Sequence, residues 1–458
     1  MKHLSYAYDI AVIGGGPAGI AAAITAARAG KKVVLLEQNS FLGGALAIGL
    51  SPLGFWAQDG RKCIAGFGEE FIERLQERGH SHGTRMCPKH NSVTCVNAEG
   101  VKLLAAEMCL EAGVDVLLHC QVLDTQVEDR KIKKLTMYGK CNKIDIEAKV
   151  YIDCTGDGDV AYLSGCDYEM GQKDTGVLQP PTVMFTLEGV DQEALFRYVD
   201  EHPEELRYNR PGIFEDERYT PDYFRASPNH VFVGLQKTFR ELKSKGELPV
   251  DRESFIYIGG TNPGEVYVNS VRILNADTTD IRDLTRAELE GSLQIPKLIK
   301  LLKDRIPGFE NCYLSSIAPN LGVRETRRFA GVRTVTEADC VNANVPEDTV
   351  CLSGYKIDIH SGRDDGLFFK AVEEPFGIPY GALVSRDVDN LMFAGRCISC
   401  DAVALGSLRV IPTCLAMGQA AGVGASLCVE QSIAPAQADT NEIRSILLSQ
   451  NAILSMED

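Results

Sequence analysis

Three glycines, Gly14, Gly16 and Gly19, stand at G-x-G-x-x-G spacing in the stretch DIAVIGGGPAGIAAAITAARAGKKVVLLEQ, and a carboxylate, Glu37, closes it. Residues of these types at this spacing suit one task, holding the pyrophosphate and ribose of a dinucleotide. Gly14 permits a tight turn, Gly16 lets the backbone approach a pyrophosphate, and Gly19 lets helix and strand pack closely. Pro17 fits the first helical turn, because the N–H it lacks would have no partner there. The free amides and the positive end of the helix dipole then face an anion. Glu37 can accept hydrogen bonds from a ribose diol and would repel a 2′-phosphate, which disfavours NADP.

Such a turn needs a βαβ unit to carry it. Asp9 to Ile13 reads as an apolar β-run, Pro17 to Ala29 as an alanine-rich helix stopped by Gly30, and Lys32 to Glu37 as a second β-run. A glycine-rich loop region follows over Asn39 to Gly60, then helices at Glu69 to Arg78 and Ala98 to Gly113 and a strand at Val114 to Leu118. KVYIDCTGDGDVAYLSG is again strand, turn and short helix. Its Gly156-x-Gly158-x-x-Ala161 is not a second dinucleotide site, since Asp157 and Asp159 would set two negative charges where a pyrophosphate should lie. From about Cys166 to Asn320, helices such as Asp191 to Glu201 and Ala287 to Leu302 alternate with β-runs such as Thr182 to Leu187 and Glu265 to Ile273. Proline-bearing loops such as HPEELRYNRPG join them. After Val323 the pattern of the first domain returns, with a buried strand at Asn390 to Ala394, a loop at Gly395 to Gly406 and a helix at Ser407 to Val429. The expected fold class is α/β: a Rossmann-like domain with a parallel sheet discontinuous in sequence (1–165 and 321–458) and an inserted α+β substrate domain (166–320).

Composition narrows the partners. The chain is 45% hydrophobic and 24% charged, as globular proteins are, and its formal net charge of −16 argues against nucleic acid and anionic membranes. No apolar run reaches membrane-spanning length, and a first strand beginning by about residue 8 leaves no room for a signal peptide, so a cytoplasmic location is expected. The 15 cysteines are odd in number and scattered, with no metal-ligand spacing. No metal is expected, and Cys397 and Cys400 in GRCISC read as plain thiols near a cofactor.

Several distant segments together resemble one family, the FAD-dependent oxidoreductases with a glutathione-reductase-type FAD domain, and most closely a bacterial subgroup distantly related to fumarate reductase and succinate dehydrogenase flavoproteins. They are the glycine turn with Glu37, FLGG at Phe41 to Gly44, DCTGDGD at Asp153 to Asp159, GVRETRR at Gly322 to Arg328, IPYGALV at Ile378 to Val384, and GRCIS with LGSLRVIPTCLAMGQAAG from Gly395 to Gly422. The resemblance implies FAD, bound without a covalent link. Gly14, Gly16, Pro17, Ala18 and Gly19 would cradle its pyrophosphate, Glu37 its adenosine ribose, and Gly43 and Gly44 the ribityl–pyrophosphate side. Cys154, Thr155 and Gly156 would sit by the adenine half, with Gln38 and Val122 also at the cofactor. Gly395, Arg396, Gly406, Ser407 and Arg409 would lie near the ribityl chain and flavin ring.

A flavin enzyme must also supply an acid or base and substrate clamps. His360 is the candidate general acid/base, since imidazole titrates near neutral pH, and Asp358 falls on the same face of its β-like run. Arg324, Arg327 and Arg328 offer a carboxylate clamp, at least one of them being a surface ion pair instead. Arg324 and Arg409 join His360 as catalytic candidates. Lack of a histidine-proline-threonine segment sets simple fumarate chemistry in doubt. The expected activity is hydride transfer between flavin N5 and a small polar substrate bearing a carboxylate or hydroxyl. Alternatives are a subunit passing electrons to an iron–sulfur partner and, disfavoured by the charge, a tRNA-modification flavoprotein. A homo-oligomer is compatible with all three.

Overall fold

The computed structural model describes residues 1–206, 217–363 and 366–457; the HPEELRYNRPG loop from residue 207 onward lies outside them. Strand β1 (Lys2–Ile13) leads through the glycine turn into helix α1 (Pro17–Arg28) and strand β2 (Val33–Leu36). Helices α2 (Phe67–Glu77) and α3 (Ala98–Glu111) then precede β3 (Asp115–Leu117), β4 (Gln121–Glu128), β5 (Lys131–Gly139) and β6 (Asn142–Asp153). The sheet order is β3-β2-β1-β6-β5-β4, parallel from β3 to β6 and antiparallel from β6 to β4.

β1 begins earlier than the apolar run suggests. Residues Lys2 to Tyr8 pair in parallel with Asn142 to Ala148, beyond the apolar heart of the sheet, and are mostly exposed. Their pairing is reinforced by polar contacts such as His3 Nε2 to Asp145 Oδ2 at 2.8 Å, so hydropathy alone does not reveal the strand.

The next portion builds an antiparallel sheet of its own from β7 (Thr182–Glu188), β8 (Val231–Gly234), β9 (Phe255–Gly259), β10 (Val266–Arg272) and β11 (Tyr313–Ile317), in the order β8-β9-β10-β7-β11. Helix α4 (Ile281–Arg305) covers it with Ile295, Leu298 and Leu302 buried. A Cβ at Gly291 would stand 2.2 Å from Val183 Cγ2, so the glycine sets how near the helix lies. Pro296 sits inside α4 without ending it.

The chain then forms a hairpin of β12 (Ile357–His360) and β13 (Leu367–Lys370), and β14 (Leu391–Phe393) pairs in parallel with the end of β6. Helix α5 (Ile411–Gln431) closes the first sheet. Sequence patterning starts this helix at Ser407, but a short turn at Leu405–Leu408 ends on Arg409 and the long helix starts only after Val410. Pro412 explains the break, since proline belongs in a first helical turn and drives the preceding backbone away from continuous helix. Contrary to the expectation that no apolar run reaches membrane-spanning length, α5 is long and apolar enough to cross a bilayer, its glycines and Gln419 not lowering its hydropathy enough; its apolar window is wholly buried within the protein, as in a core helix.

α5 lies against α1 almost backbone to backbone. A Cβ on Gly418 would come within 2.1 Å of Ala18 O, and one on Gly422 within 2.6 Å of Ala22 O. Gly418→Val should therefore force the helices apart, costing about 1–3 kcal/mol as overpacking does. Thermal denaturation should show a melting temperature several degrees lower; an unchanged curve would mean that the two helices separate freely.

Candidate active site

A cleft of about 980 Å3 runs from the glycine turn to the cleft-facing strands of the second sheet and the β12 hairpin. At one end the N-terminus of α1 opens into it. Gly14 has φ +98°, and a Cβ there would lie 2.4 Å from Cys154 O; one on Gly19 would lie 1.7 Å from Gly14 O. Both glycines are required by the protein's own packing. Gly16 is different: it lines the cleft and a Cβ there would meet no protein atom within 4 Å, so its bareness serves approach from the cleft. It is also the N-cap of α1 with no side-chain cap, which leaves the helix amides to a ligand.

Glu37 is buried at the cleft wall. Its Oε2 accepts from Gly15 N at 2.6 Å and its Oε1 from Asn39 N and Nδ2, both at 2.7 Å. The carboxylate thus holds the glycine turn in shape and keeps lone pairs for a ribose. Opposite, Asp153 fixes the second turn by accepting from Thr155 N, Thr155 Oγ1 and Ala161 N at 2.8–3.0 Å. Arg396 donates to Asp157 Oδ1 at 2.9 Å and to Thr326 Oγ1 at 2.8 Å.

Of the expected cofactor residues, Gly14, Gly16, Pro17, Ala18, Glu37, Gln38, Gly44, Val122, Cys154, Thr155, Gly156, Gly395 and Arg396 line this cleft. Gly19, Gly43, Gly406 and Ser407 do not. Gly19 is a packing glycine, and Gly43, at φ +109°, turns the chain beside Val101. Gly406 backs onto Asp358, whose backbone O a Cβ would approach to 3.1 Å, and Ser407 Oγ donates to Tyr355 O at 2.5 Å. These two support the β12 hairpin from behind, a consequence of α5 starting only after Val410.

The three catalytic candidates meet at the other end. His360 Nε2 lies 3.3 Å from Asp358 Oδ1, its backbone N donates to Gln179 Oε1 at 3.1 Å, and its Nδ1 has no protein partner. Arg409 Nη2 donates to Gln179 Oε1 at 3.2 Å and to Asp358 O at 2.9 Å. Arg324 Nη1 donates to Pro180 O at 2.6 Å. The other GVRETRR arginines are tied down elsewhere: Arg327 reaches Asp157 O and Asp159, and Arg328 forms a buried pair with Glu325 at 2.5 Å.

Burial first, and then the Arg324 and Arg252 guanidiniums, push the His360 imidazole down to about 3, although Asp358 pulls the other way. It is therefore neutral at neutral pH, which corrects the expectation of a group poised near 7. Asp358, despite its burial, is held below the usual carboxylate range by His360, Arg409 and Lys356. The Cys397 and Cys400 thiols are buried and pushed up, so neither is a ready thiolate.

Arg252 and Arg272 also line this end and were not found from sequence. The available signal is weak: Arg272 ends β10 as the one charged residue of a strand that is buried or half-buried throughout. Gln179, which bridges Arg409 and the His360 backbone, carried no signal at all.

Over residues 9–447 the chain matches the family described as FAD dependent oxidoreductase. A digeranylgeranylglycerophospholipid reductase of Methanococcoides burtonii is 25% identical over 171 residues, 32% of this chain and 38% of that protein. A thiamine thiazole synthase of Pyrococcus horikoshii is 28% identical over 158 residues, 33% of this chain and 58% of that protein. The aligned parts thus span well under two thirds of either relative. A geranylgeranyl bacteriochlorophyll reductase-like structure from Thermoplasma acidophilum aligns over 98% of this chain and 85% of its own, with 13% identity and a TM-score of 0.49.

Because Glu37 shapes the Gly15 turn as well as facing the cleft, Glu37→Arg should weaken dinucleotide binding at least tenfold, about 1.4 kcal/mol. Flavin occupancy of the purified variant measures this, and full occupancy would reduce Glu37 to a structural acid.

Proposed function

Because the chain belongs to the family of FAD-dependent oxidoreductases, with FAD as cofactor and enzymatic activity implied by that membership, we propose that it moves a hydride between flavin N5 and a small polar substrate held between the two sheets. The observation that carries this reading is the continuity of one cleft from the bare helix end at Gly16 to the cluster of His360, Arg324 and Arg409. FAD, when bound, supplies two-electron chemistry at N5.

The chain's own residues would divide the remaining work. Gly16, Pro17 and the α1 amides hold the pyrophosphate, and Glu37 the adenosine ribose. Arg396, fixed on Asp157 and Thr326, flanks the ribityl side. Arg324 orients an anionic substrate group. His360, neutral and with Nδ1 unpartnered, accepts or returns a proton at that atom, while Asp358 positions the ring and Gln179 the backbone that carries it. In this reading 1–165 and 321–458 form the cofactor domain, 166–320 the substrate domain, and the enzyme works in the cytoplasm with its cofactor noncovalently bound.

The test is anaerobic mixing of the flavin-loaded protein with candidate hydroxy acids, and of the dithionite-reduced protein with enoates, following the visible flavin bands. Failure of every class to alter the redox state would remove the proposal. On a substrate so found, His360→Ala should lower turnover by about 10² to 10⁴ at unchanged flavin content.

The pH profile follows from the same site. A depressed imidazole is deprotonated until the pH falls toward 3, so the free enzyme's base is ready throughout the neutral range. kcat/KM, which reports free-enzyme groups, should show no His360 limb between about pH 5 and 8. The neutral imidazole likewise stabilises the fold above its unfolded value of about 6.5, and that contribution is lost as the pH falls through the folded value. A limb in kcat/KM near 6.5 that vanishes in His360→Ala would show the ring to be solvated instead.

A further inference from the structure

Helix α4 and the segment that carries Arg324 meet at one wall of the cleft, where Glu288 and Thr278 take no part in the proposed proton transfer. Leu284 and Glu288, one turn apart on α4, line the cleft together with Thr278 just before the helix and with Asn320 to Arg324 beyond the second sheet. Glu288 Oε1 accepts from Leu321 N at 3.2 Å, which ties α4 to the segment leading to Arg324. That is the one hydrogen bond the half-buried Glu288 carboxylate makes among the described residues, and no cation there acts on it. Thr278 is 6% exposed, and its hydroxyl has no protein partner. Arg252, Arg272 and Glu253 line the same end and are each engaged within the protein, so none of the three is in want of a ligand.

A half-buried carboxylate loses water that only another donor can replace, and a buried hydroxyl without a partner is destabilising in the same way. Burial pushes the Glu288 carboxyl up, and the Leu321 amide alone works against it. Folding would be served equally by glutamine, whose amide oxygen accepts the same bond from Leu321. The charge at this position therefore answers to something outside the chain. A ligand ammonium supplies both the missing positive charge and N–H donors for the Glu288 and Thr278 oxygens. A ligand hydroxyl would supply a donor without the charge. Arg324, which the proposed function gives to an anionic substrate group, lies three residues beyond Leu321 and lines the same wall. Two subsites of opposite sign thus stand side by side.

We infer that the substrate is a zwitterion, an amino acid whose carboxylate is oriented by Arg324 and whose ammonium is held by Glu288 and Thr278, and that Glu288 selects it over a simple carboxylic acid. This substrate class presupposes the proposed function, of which it is a narrower form. A site built to hydrogen-bond a substrate N–H rejects analogues that lack it, because its own buried polar groups are then left unpaired. An acid without the ammonium would leave Glu288 and Thr278 in that condition.

Isothermal titration of the flavin-loaded protein tests this, with glycine and γ-aminobutyrate as short and long zwitterions and acetate and methylammonium as their separate halves. One of the zwitterions should bind about tenfold or more tighter than acetate, and methylammonium should not bind. Whichever zwitterion prevails gives the span between the two subsites. Glu288→Gln, which keeps an acceptor for Leu321 N, should weaken that zwitterion by about tenfold or more while acetate binding and flavin absorbance stay as they were. Thr278→Val should weaken it by about threefold or more, again with acetate unaffected. Acetate binding as tight as both zwitterions, no zwitterion binding with the flavin in place, or a Glu288→Gln loss shared equally by acetate would overturn the inference. If the variants fail to fold, the comparison of the zwitterions with their halves on the unaltered protein still decides. Bleaching of the flavin by a hydroxy acid, with no binding of either zwitterion, would leave the proposed function standing and remove the amino acid; absence of bound flavin would remove both.

Discussion

The cleft depends on how closely four stretches of backbone approach where α1 begins. β1 ends, the turn at Gly14 bends against Cys154, Gly19 brings α1 onto that turn, and Gly418 brings α5 onto Ala18, each at distances that exclude a side chain. Main chain rather than side chain forms this junction, and close packing makes it stiff. A stiff junction fixes the direction in which the α1 amides point. It also fixes Glu37, whose carboxylate is bonded into the same turn. The second sheet and the β12 hairpin can then present polar side chains to a cofactor position that is set independently of them.

Charge is divided along the cleft as geometry is. The dinucleotide end relies on backbone amides, a helix end and paired carboxylates, and its arginine, Arg396, is already engaged by Asp157 and Thr326. The other end gathers guanidiniums, and there the ionisable groups alter one another: a neutral imidazole beside guanidiniums, and a carboxylate held ionised among them. In such surroundings the state of His360 is a property of the whole cluster rather than of the residue.

Sequence reveals the parts governed by local rules and misses those set by contact between distant segments. The glycine turn, α1, β2 and Glu37 are legible because periodicity and turn chemistry act over short stretches. So are β7 and β10, rich in β-branched and aromatic residues, and the buried strand β14, an unbroken apolar run. The N-terminal extension of β1 is hidden, since its polar alternation gains meaning only beside Asn142 to Ala148. Gly406 and Ser407 fall behind the hairpin rather than in the cleft because Pro412 delays the start of α5, an effect that apolar patterning does not register. His360 lies in the cleft, but its ionisation is set first by burial and then by Arg324 and Arg252 against Asp358, an environment assembled from segments remote in sequence. Arg327 and Arg328 look the same as Arg324 in the motif; only the fold shows that carboxylates engage them.

The seam between α1 and α5 has a further consequence, for the order in which the chain can assemble. Lys31 and Glu430, 399 residues apart, meet beside it, and β14 completes the first sheet only after the second has been made. Contacts of such separation demand closure of long loops before they return any stabilisation, and topologies rich in them fold slowly. During synthesis, the alanine face of α1 must wait without its cover until Ile411 to Gln431 emerges. Until then that face is an open apolar groove, the kind of surface that chaperones bind and that aggregation exploits.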